Sequence, residues 1–508
     1  MARMVGNRLR TVAKVLGHLI AEDVGWSRAH RSEAHSGLER EQRRAKAVRQ
    51  ALESLGPFYV KIGQILSTRP DMVSPTMIAE FENMHDEVDV QPFHEFEPVL
   101  AENLGPNWKR LFDDIDTLRP LGAASLAQVH RVTLSGGRLG VIKLQRPGIR
   151  ETVLADMALL RRAARMVARG APRFSSVVDL ESMLGNIFDA MEPELDFTKE
   201  AANMDQARAS VGKFRYLAVP EVVAATPGVL VQSMAPGTSV GRIDPATLGD
   251  RERMAIGREL LAFMYRGYFI DRFYHADPHP GNVFVAPGGP ATLIDWGMVG
   301  RIDQRTSMRL LLALAAVGQN DGHGLAKAWT EMGRTTPWSD IPGFSSDMAA
   351  LVPKVAFASL ADLNFGVVLT SCLEKASRRG IASSPSISLL GKSFANLEGS
   401  VRRIAPELVI RDVFEKEIYG IILNLIRETL SPQQMARRSL EGLLACTTAG
   451  EQLRALADDM SNRQISVQVS QVRRGRALGG ENPSSQYRGL LVLGALALYV
   501  SRRTSGRS

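Results

Sequence analysis

The chain has 508 residues, of which 45% are hydrophobic and 23% charged, enough to build several packed units. Its only cysteines, Cys372 and Cys446, are not in a CxxC motif, which argues against a disulfide framework and indicates a reducing compartment. The net charge of +8 is concentrated in residues 1–50 and 463–508. No aromatic-basic interleaving accompanies it, so we expect no nucleic-acid partner. Residues 12–20 are interrupted by charge, and we expect no secretory signal there.

The first informative element is a predicted helix over Leu55–Pro70. Its apolar pattern places Lys61 and Gln64 three residues apart, on one side of the helix. A lysine among apolar neighbours either extends its ammonium group to solvent or meets an acidic partner. The spacing alone does not decide between the two.

A loop of small residues precedes a predicted β-hairpin. Its backbone amides can approach phosphates closely, because large side chains do not block them. The returning strand ends in Val-Ile-Lys, and Lys143 would place its ammonium group against the phosphates of a nucleotide. On its own, a Gly-Ala-Ala-Ser loop is more typical of helix or turn packing. The loop residues are Gly122, Ala123, Ala124 and Ser125.

An acidic segment can supply the partner that such a lysine needs. Pro193 suits a first helical position, and helical spacing then puts Asp196 and Glu200 on one face while Glu194 points elsewhere. We predict that Glu200 pairs with Lys143 and that Glu194 meets a different cation. The alternative is an acidic helix that only faces solvent.

The strongest signal is the string His-Ala-Asp-Pro-His-Pro-Gly-Asn followed, after two short predicted strands, by Asp-Trp-Gly. The strands form a hairpin that brings Asn282 and Asp295 to the same end of a site. Their oxygens suit Mg²⁺, while the carboxylate of Asp277 can orient or deprotonate a hydroxyl or a water. This pattern is typical of phosphoryl transfer.

Two other interpretations apply to the same string. Asp-Pro, Pro-Gly and Asp-X-Gly are turn formers in any protein. Alternatively, His275, Asp277 and His279 form a metal trio, although no cysteine is near and the Asp/Asn pattern already accounts for the segment with Mg²⁺.

Local patterns outside these motifs predict a hinge, a helical second lobe and a linker. Val229–Gly237 is a predicted strand and then a hinge between two lobes. Amphipathic patterns at Met254–Phe269 and Met308–Val317 make the second lobe mostly helical. Ser466–Ser485, rich in Gln, Ser, Arg and Gly, is a predicted linker.

An apolar run at Gly489–Val500 follows this linker, flanked by Tyr487, Arg488, Arg502 and Arg503. Twelve helical residues extend roughly 18 Å, less than the roughly 30 Å of a bilayer core. We predict membrane anchoring by partial insertion or with a partner. The alternative is a core helix.

These motifs together resemble the UbiB/AarF atypical kinase-like family, whose eukaryotic relatives are the ADCK proteins. The motifs, in order, are Lys61–Gln64 (KxGQ), Gly122–Ser125, Val141–Lys143, Glu194–Asp196 (ExD), His275–Asn282 and Asp295–Gly297. The resemblance implies an α+β, two-lobed protein-kinase-like fold with a small β-rich N-lobe, a helical C-lobe, a helical N-terminal extension over the groove and a C-terminal hydrophobic tail. The predicted divisions are a basic segment at 1–50, the KxGQ extension at 51–115, the N-lobe at 116–235, the C-lobe at 236–465, and the linker with its anchor at 466–508.

The resemblance also implies roles for the site residues. Lys61 would pair with Glu194 and Lys143 with Glu200. Asp277 and Lys143 would be catalytic, and ATP or ADP would bind through Lys143, Glu200 and the loop Gly122, Ala123, Ala124 and Ser125. Asn282 and Asp295 would hold Mg²⁺. Lys61, Gln64, Glu194 and Asp196 would gate the groove.

Three departures from protein kinases matter. Ala276 stands where an arginine is usual, Trp296 replaces a phenylalanine, and no Ala-Pro-Glu follows Gly297. The missing peptide-docking segment makes protein substrates unexpected, in agreement with the family.

The leading hypothesis is a membrane-associated atypical kinase or ATPase that uses Mg-nucleotide and supports isoprenoid quinone or related lipid biosynthesis. Its expected partners are a membrane lipid or quinone precursor, an anionic membrane surface and other lipid-biosynthesis enzymes, at the cytoplasmic side of a bacterial-type inner membrane. One alternative is a small-molecule phosphotransferase of the aminoglycoside or choline kinase type, which shares the Asp277 and Asp295 motifs but lacks KxGQ and ExD. Another is a nucleotide-switched scaffold of a lipid-biosynthetic complex.

Overall fold

The computed structural model describes residues 37–67, 73–84, 89–170, 180–336, 339–356 and 365–436, with residues 10–12, 14, 15, 17, 439 and 440. The α-helices within the six longer ranges are α1 Gly37–Leu55, α2 Pro57–Ser67, α3 Pro75–Glu82, α4 Glu97–Leu104, α5 Ile149–Gly170, α6 Leu180–Met191, α7 Phe197–Val211, α8 Asp250–Phe269, α9 Gln304–Gly318, α10 Gly322–Met332, α11 Ile341–Ala356, α12 Phe365–Arg378, α13 Pro385–Ile404 and α14 Ile410–Thr429. The strands are β1 Phe112–Ile115, β2 Gly122–Ala123, β3 Ala127–Leu134, β4 Arg138–Gln145, β5 Leu217–Ala218, β6 Val222–Ala225, β7 Val229–Ser233, β8 Thr238–Ser239, β9 Phe273–His275, β10 Val283–Val285, β11 Ala291–Leu293 and β12 Val299–Arg301. Short 3₁₀ helices are Phe93–Phe96, Trp108–Leu111, Glu192–Leu195 and Pro245–Thr247.

A six-stranded antiparallel sheet forms the first lobe. Its order is β1-β3-β4-β7-β6, with β2 paired to β3. The predicted hairpin between β3 and β4 is confirmed, and Gly136 and Gly137 make its turn with φ values of 95° and 77°. Such angles suit residues without a Cβ atom. Lys143 lies on β4 between Val129 of β3 and Leu230 of β7, so a central strand fixes its backbone.

Two smaller sheets lie in the second lobe. One has the order β5-β11-β10-β8, in which β10 and β11 form the predicted hairpin, with Val283 opposite Leu293. The other pairs β9 with β12, and His275 lies opposite Val299. These sheets position the two loops that carry Asp277 and Asp295.

Helices make up most of the second lobe, as the amphipathic patterns predict. Its core surrounds α8, where Leu260, Leu261, Met264 and Tyr268 are fully buried. Burying each such side chain contributes roughly 1.5–3 kcal/mol. None of the helices in the part of the chain that the structure describes combines the length and apolarity that crossing a membrane requires. The predicted tail with Gly489–Val500 lies outside the described residues.

The N-terminal extension consists of α1, α2 and α3. These helices share a small core that includes Ala45, Val60 and Phe81. The opposite side of α2 packs on α6, where Phe58 meets Phe188 at 6.3 Å between ring centroids. The extension is therefore bound to the lobes through apolar contacts.

Candidate active site

A cavity of about 720 Å³ collects most of the predicted site residues. Ten of them line it: Lys61, Gln64, Ala124, Ser125, Lys143, Glu194, Glu200, Asp277, Asn282 and Asp295. The other three, Gly122, Ala123 and Asp196, are not among its lining residues. Segments more than 200 residues apart in the chain thus meet at one place.

Lys143 lies between two carboxylates. Its Nζ is 2.9 Å from Oε2 of Glu200 and 3.3 Å from Oδ1 of Asp295, which confirms the predicted pairing with Glu200. Burial lowers the pKa of Lys143, but Asp295 and Glu200 outweigh burial and raise it above its ordinary value. Burial raises the pKa of Glu200, and the nearby Lys143 opposes this. The ammonium group therefore stays charged at neutral pH.

Asp295 has an unusual backbone for a residue with a side chain. Its φ is 60°, in the left-handed region that costs energy for residues other than glycine. The next residue anchors this conformation, because the indole of Trp296 is fully buried and its Nε1 donates to the carbonyl of Leu293 at 3.1 Å. Lys143 lowers the pKa of Asp295 against the opposite effect of burial. The carboxylate is thus ionised and directed at the lysine.

The loop after β9 orients Asn282 beside Asp277. The Nδ2 atom of Asn282 donates to the backbone carbonyl of Asp277 at 3.0 Å, so its Oδ1 is the atom left for a ligand. The backbone carbonyl of Asn282 accepts from Ile294 N at 2.9 Å, next to Asp295. An amide oxygen and an ionised carboxylate that line one cavity suit Mg²⁺, which prefers hard oxygen donors and few protein ligands.

The alternative metal trio is wrong. His275 is fully buried, its Nε2 lies 3.0 Å from the carbonyl of Ile294, and its Nδ1 accepts from Asp277 N. Burial lowers the pKa of His275, so the ring is neutral and serves to shape the loop. The described residues contain no cluster of three or more His, Cys, Asp or Glu side chains suited to a metal ion.

The small-residue loop differs from the expectation in two ways. Gly122 and Ala123 form strand β2 on β3 instead of facing the cavity. The N–H of Ala124 already donates to the carbonyl of Ala127 at 2.8 Å, so this amide is used within the loop. Ala124 and Ser125 remain at the cavity.

The acidic segment also begins its helix later than Pro193 predicts. Residues Glu192–Leu195 form a 3₁₀ turn, and α7 starts at Phe197. Asp196 is the N-cap of α7, and its Oδ1 accepts from Thr198 N at 3.0 Å. An N-cap carboxylate satisfies a free helix N–H, so the side chain is structural in this arrangement.

Lys61 joins the extension to the lobes at the cavity. Its Nζ lies 2.8 Å from Oε1 of Glu194, and the two side chains are 15% and 16% exposed. This confirms the predicted pair and decides against a lysine that only reaches solvent. Gln64 lines the same cavity one helical turn further on.

The chain is similar in sequence to a known family of kinase-like proteins. The profile of the ABC1 atypical kinase-like domain matches residues 83–329. The "Probable protein kinase UbiB" of Cellvibrio japonicus is 31% identical over 374 residues, covering 72% of this chain and 67% of the relative. The protein of the same name from Pseudomonas entomophila is 33% identical over 404 residues, covering 77% and 73%. The chain belongs to the ABC1 atypical kinase-like family.

A solved structure supports the fold of this ABC1 family member. The erythromycin complex of Rv3197 from Mycobacterium tuberculosis aligns with a TM-score of 0.51 and 20% identity, covering 65% of this chain and 83% of that one. Together with the family match, this alignment supports the predicted kinase-like fold, with its β-rich sheet region and helices, for the described residues.

Three residues of the site carried no sequence signal that we used. Lys392 and Asn396 of α13 contact the carboxylate of Asp277. Arg146 donates from Nε to the carbonyl of Ala124 at 2.9 Å and from both terminal nitrogens to the carbonyl of Asp89 at 3.0 Å, holding the small-residue loop against the segment that follows α3. A lysine and an amide four apart in a largely apolar helix were the only available hint for α13.

Proposed function

We propose that this ABC1 family member is an atypical kinase or ATPase that binds Mg-nucleotide at the cavity and supports isoprenoid quinone or related lipid biosynthesis. The observation that supports this most strongly is that Lys143, Glu200, Asp277, Asn282 and Asp295 all line one cavity, where Lys143 contacts both Glu200 and Asp295. These are the group types that phosphoryl transfer needs: a cation for phosphates, oxygen ligands for Mg²⁺ and a carboxylate near the nucleophile.

Each of these residues has its own role in the proposed reaction. Lys143, held by Glu200, binds phosphate oxygens. Asn282 and Asp295 hold Mg²⁺, which when bound neutralises phosphate charge and polarises the phosphoryl group. Asp277 orients a hydroxyl or water and accepts its proton. Catalysis then rests on positioning and charge neutralisation.

The apolar wall of the cavity supports a lipid acceptor. Ile65, Ile78, Phe81 and Met84, on or just after helices α2 and α3, line it together with the charged residues. A ligand with a polar head and an apolar body suits such a lining, because its head can contact Asp277 while its body packs on the apolar side chains and is removed from water. The resemblance to the UbiB/AarF family, which is tied to isoprenoid quinone lipids, favours the same substrate class.

The short connection after Asp295 supports a substrate other than a protein. Only eight residues separate Asp295 from the start of α9 at Gln304, and three of them form β12, paired with β9. A segment this short and this strongly paired leaves little backbone to dock a peptide.

Membrane association is part of the proposal. An exposed apolar stripe on and just after α14 supports it, in addition to the apolar run 489–500. The stripe consists of Tyr419, Ile422, Leu423, Ile426 and Leu430, which are 41–74% exposed. These positions follow helical spacing, and exposed apolar surface of this kind marks contact with a membrane or a partner. We place the protein at the cytoplasmic face of a bacterial-type inner membrane.

The decisive experiment is Asp295→Asn. The variant keeps the side-chain size and loses the charge that holds Mg²⁺ and Lys143, so we expect Mg-dependent ATP hydrolysis to vanish while the melting temperature changes little. Asp205→Asn, on an exposed side chain that pairs with Arg208, is the matched control and should hydrolyse at the wild-type rate. Wild-type hydrolysis by Asp295→Asn would overturn the proposed chemistry. Lipid profiling of a strain carrying Asp277→Asn then tests the pathway.

A further inference from the structure

Helix α13 holds the loop after β9, which carries Asp277, by its backbone. The Oγ of Ser393 donates to the carbonyl of His275 at 2.6 Å, and the Oγ of Ser400 donates to the carbonyl of Pro278 at 2.7 Å. Both serines are buried and lie seven residues apart, on one helix face. Asp277 is therefore flanked on both sides by carbonyls that α13 binds.

The same helix face also holds the side chain of Asp277. The Nζ of Lys392 is 3.0 Å from Oδ2, and the Nδ2 of Asn396 donates to Oδ1 at 2.5 Å. The two donors are four residues apart, which places them side by side on α13. All three side chains line the cavity. Each oxygen of the carboxylate thus has its own donor, from an element more than 100 residues away.

This arrangement is more than a surface ion pair. Lys392 is 32% exposed and Asp277 24%, and both line the cavity. A partly exposed ion pair contributes only about 0–1 kcal/mol to stability. Two donors from a helix that is itself fixed to the loop instead determine where the carboxylate points.

The geometry leaves Asp277 able to receive a substrate. An ionised carboxylate has roughly four acceptor sites on its two oxygens, and Lys392 and Asn396 take two of them. The remaining sites have a set direction, because rotation of the carboxylate would break both contacts. Lys392 also places positive charge beside the point at which Asp277 would meet a hydroxyl.

We infer that Lys392 and Asn396 are positioning residues for Asp277, which they hold in the orientation required for phosphoryl transfer. The inference rests on the proposed function. Asn396 fixes the plane of the carboxylate, and Lys392 balances its charge. Neither residue is among the groups proposed to hold the phosphates or Mg²⁺, so their loss should lower kcat and leave the KM for Mg-ATP nearly unchanged.

The test uses the full-length chain and steady-state ATP hydrolysis. Lys392→Met removes the charge and keeps the length, Lys392→Arg keeps the charge, and Asn396→Ala removes the amide. We expect kcat to fall about 10- to 100-fold in Lys392→Met, since small misplacements cost about this much, with KM for Mg-ATP within about twofold. Lys392→Arg should regain most of the loss. Lys416→Met, on the exposed face of α14, is the matched control.

A double-mutant cycle separates action through Asp277 from a structural effect. If Lys392 acts through Asp277, then Asp277→Asn with Lys392→Met should be no slower than Asp277→Asn alone. Additive losses, or a kcat for Lys392→Met within twofold of wild type, would overturn the inference. If Lys392→Met does not fold, Lys392→Arg and Asn396→Ala decide through the same split between kcat and KM. A wild-type chain without hydrolysis, or an unaffected Asp277→Asn, would instead remove the proposed function and this inference with it.

Discussion

The Nζ of Lys61 and the Oε1 of Glu194 lie 2.8 Å apart across the cavity, and both side chains are largely shielded from solvent. This contact ties helix α2 of the extension to the turn that precedes α7. Removing one partner takes this ion pair away from a charge that stays partly buried, which costs more than the pair itself contributes.

We therefore expect Lys61→Met and Glu194→Gln each to lower the free energy of unfolding, and the double variant to lose less than their sum. The coupling should be about 0.5–3 kcal/mol, as for contacting residues. Urea unfolding measures it. The exposed pair Arg138 and Glu221 is the matched control and should show a coupling of about 0–1 kcal/mol. Additive effects at Lys61 and Glu194 would show that the pair does not fasten the extension.

Arg146 supports a second prediction, on nucleotide affinity. It is 7% exposed, and its donors reach the carbonyls of Ala124 and Asp89. Arg146→Met should loosen the loop and raise the KM for Mg-ATP roughly 3- to 10-fold, about the net value of one lost hydrogen bond of ordinary strength. Arg146→Lys should not restore it, because an ammonium group lacks the planar fork of donors. Arg131→Met, on the exposed part of β3, is the control; an unchanged KM in Arg146→Met would contradict the role.

Local patterns predicted much of this site, and the reason is physical. The hairpins around Lys143 and between Asn282 and Asp295 follow from turn residues between short apolar runs, which act over a few positions. The Lys143–Glu200 pair was predictable because a lysine on a central strand requires an acidic partner. Tertiary contacts decided the rest.

Three details show where sequence patterns stop. Asp196 caps α7, so the helix starts at Phe197 and not at Pro193. Proline suits the start of a 3₁₀ turn as well as that of an α-helix, and Pro193 lies in the 3₁₀ turn. Gly122 pairs in a strand because β1 reaches β3 only from Val132 onward and leaves Val129 open to β2. Lys392 meets Asp277 across 115 positions, and no local rule connects them.

A further prediction concerns the pH dependence of stability and rests on Glu398, on the far side of α13. It is 1% exposed, and its Oε1 accepts from Phe365 N at 3.0 Å, at the start of α12. Burial raises its pKa from 4.5 to about 7, although the hydrogen bond and Arg402 oppose this. Between pH 4.5 and about 7, Glu398 therefore keeps its proton in the folded state and has lost it in the unfolded state. The free energy of unfolding falls as the pH rises through that window.

The shift at Glu398 corresponds to about 3 kcal/mol. We expect Glu398→Gln, which keeps an oxygen for Phe365 N, to gain stability relative to wild type as the pH rises from 4.5 to 7, and to hold that gain above 7. Urea unfolding at pH 5 and pH 8 measures the difference. Glu417→Gln, on α14, should show no such trend. A constant difference between Glu398→Gln and wild type at the two pH values would refute the buried proton.

Membrane binding can be divided between the stripe near α14 and the predicted tail. Truncation after residue 465 removes Gly489–Val500 and the basic residues around it, so the shortened chain should stay in the supernatant when anionic vesicles are sedimented. Leu423→Glu in the full chain should weaken binding roughly tenfold if the stripe enters the interface, because inserting a charge forfeits the burial of a leucine. Leu312→Glu, at a comparably exposed leucine on α9, should bind like wild type. Equal sedimentation of the truncated and full chains would contradict the predicted anchor, because the stripe alone would then bind the vesicles. If the truncated chain loses vesicle binding and Leu423→Glu does not, binding belongs to the tail and the stripe lies outside the interface.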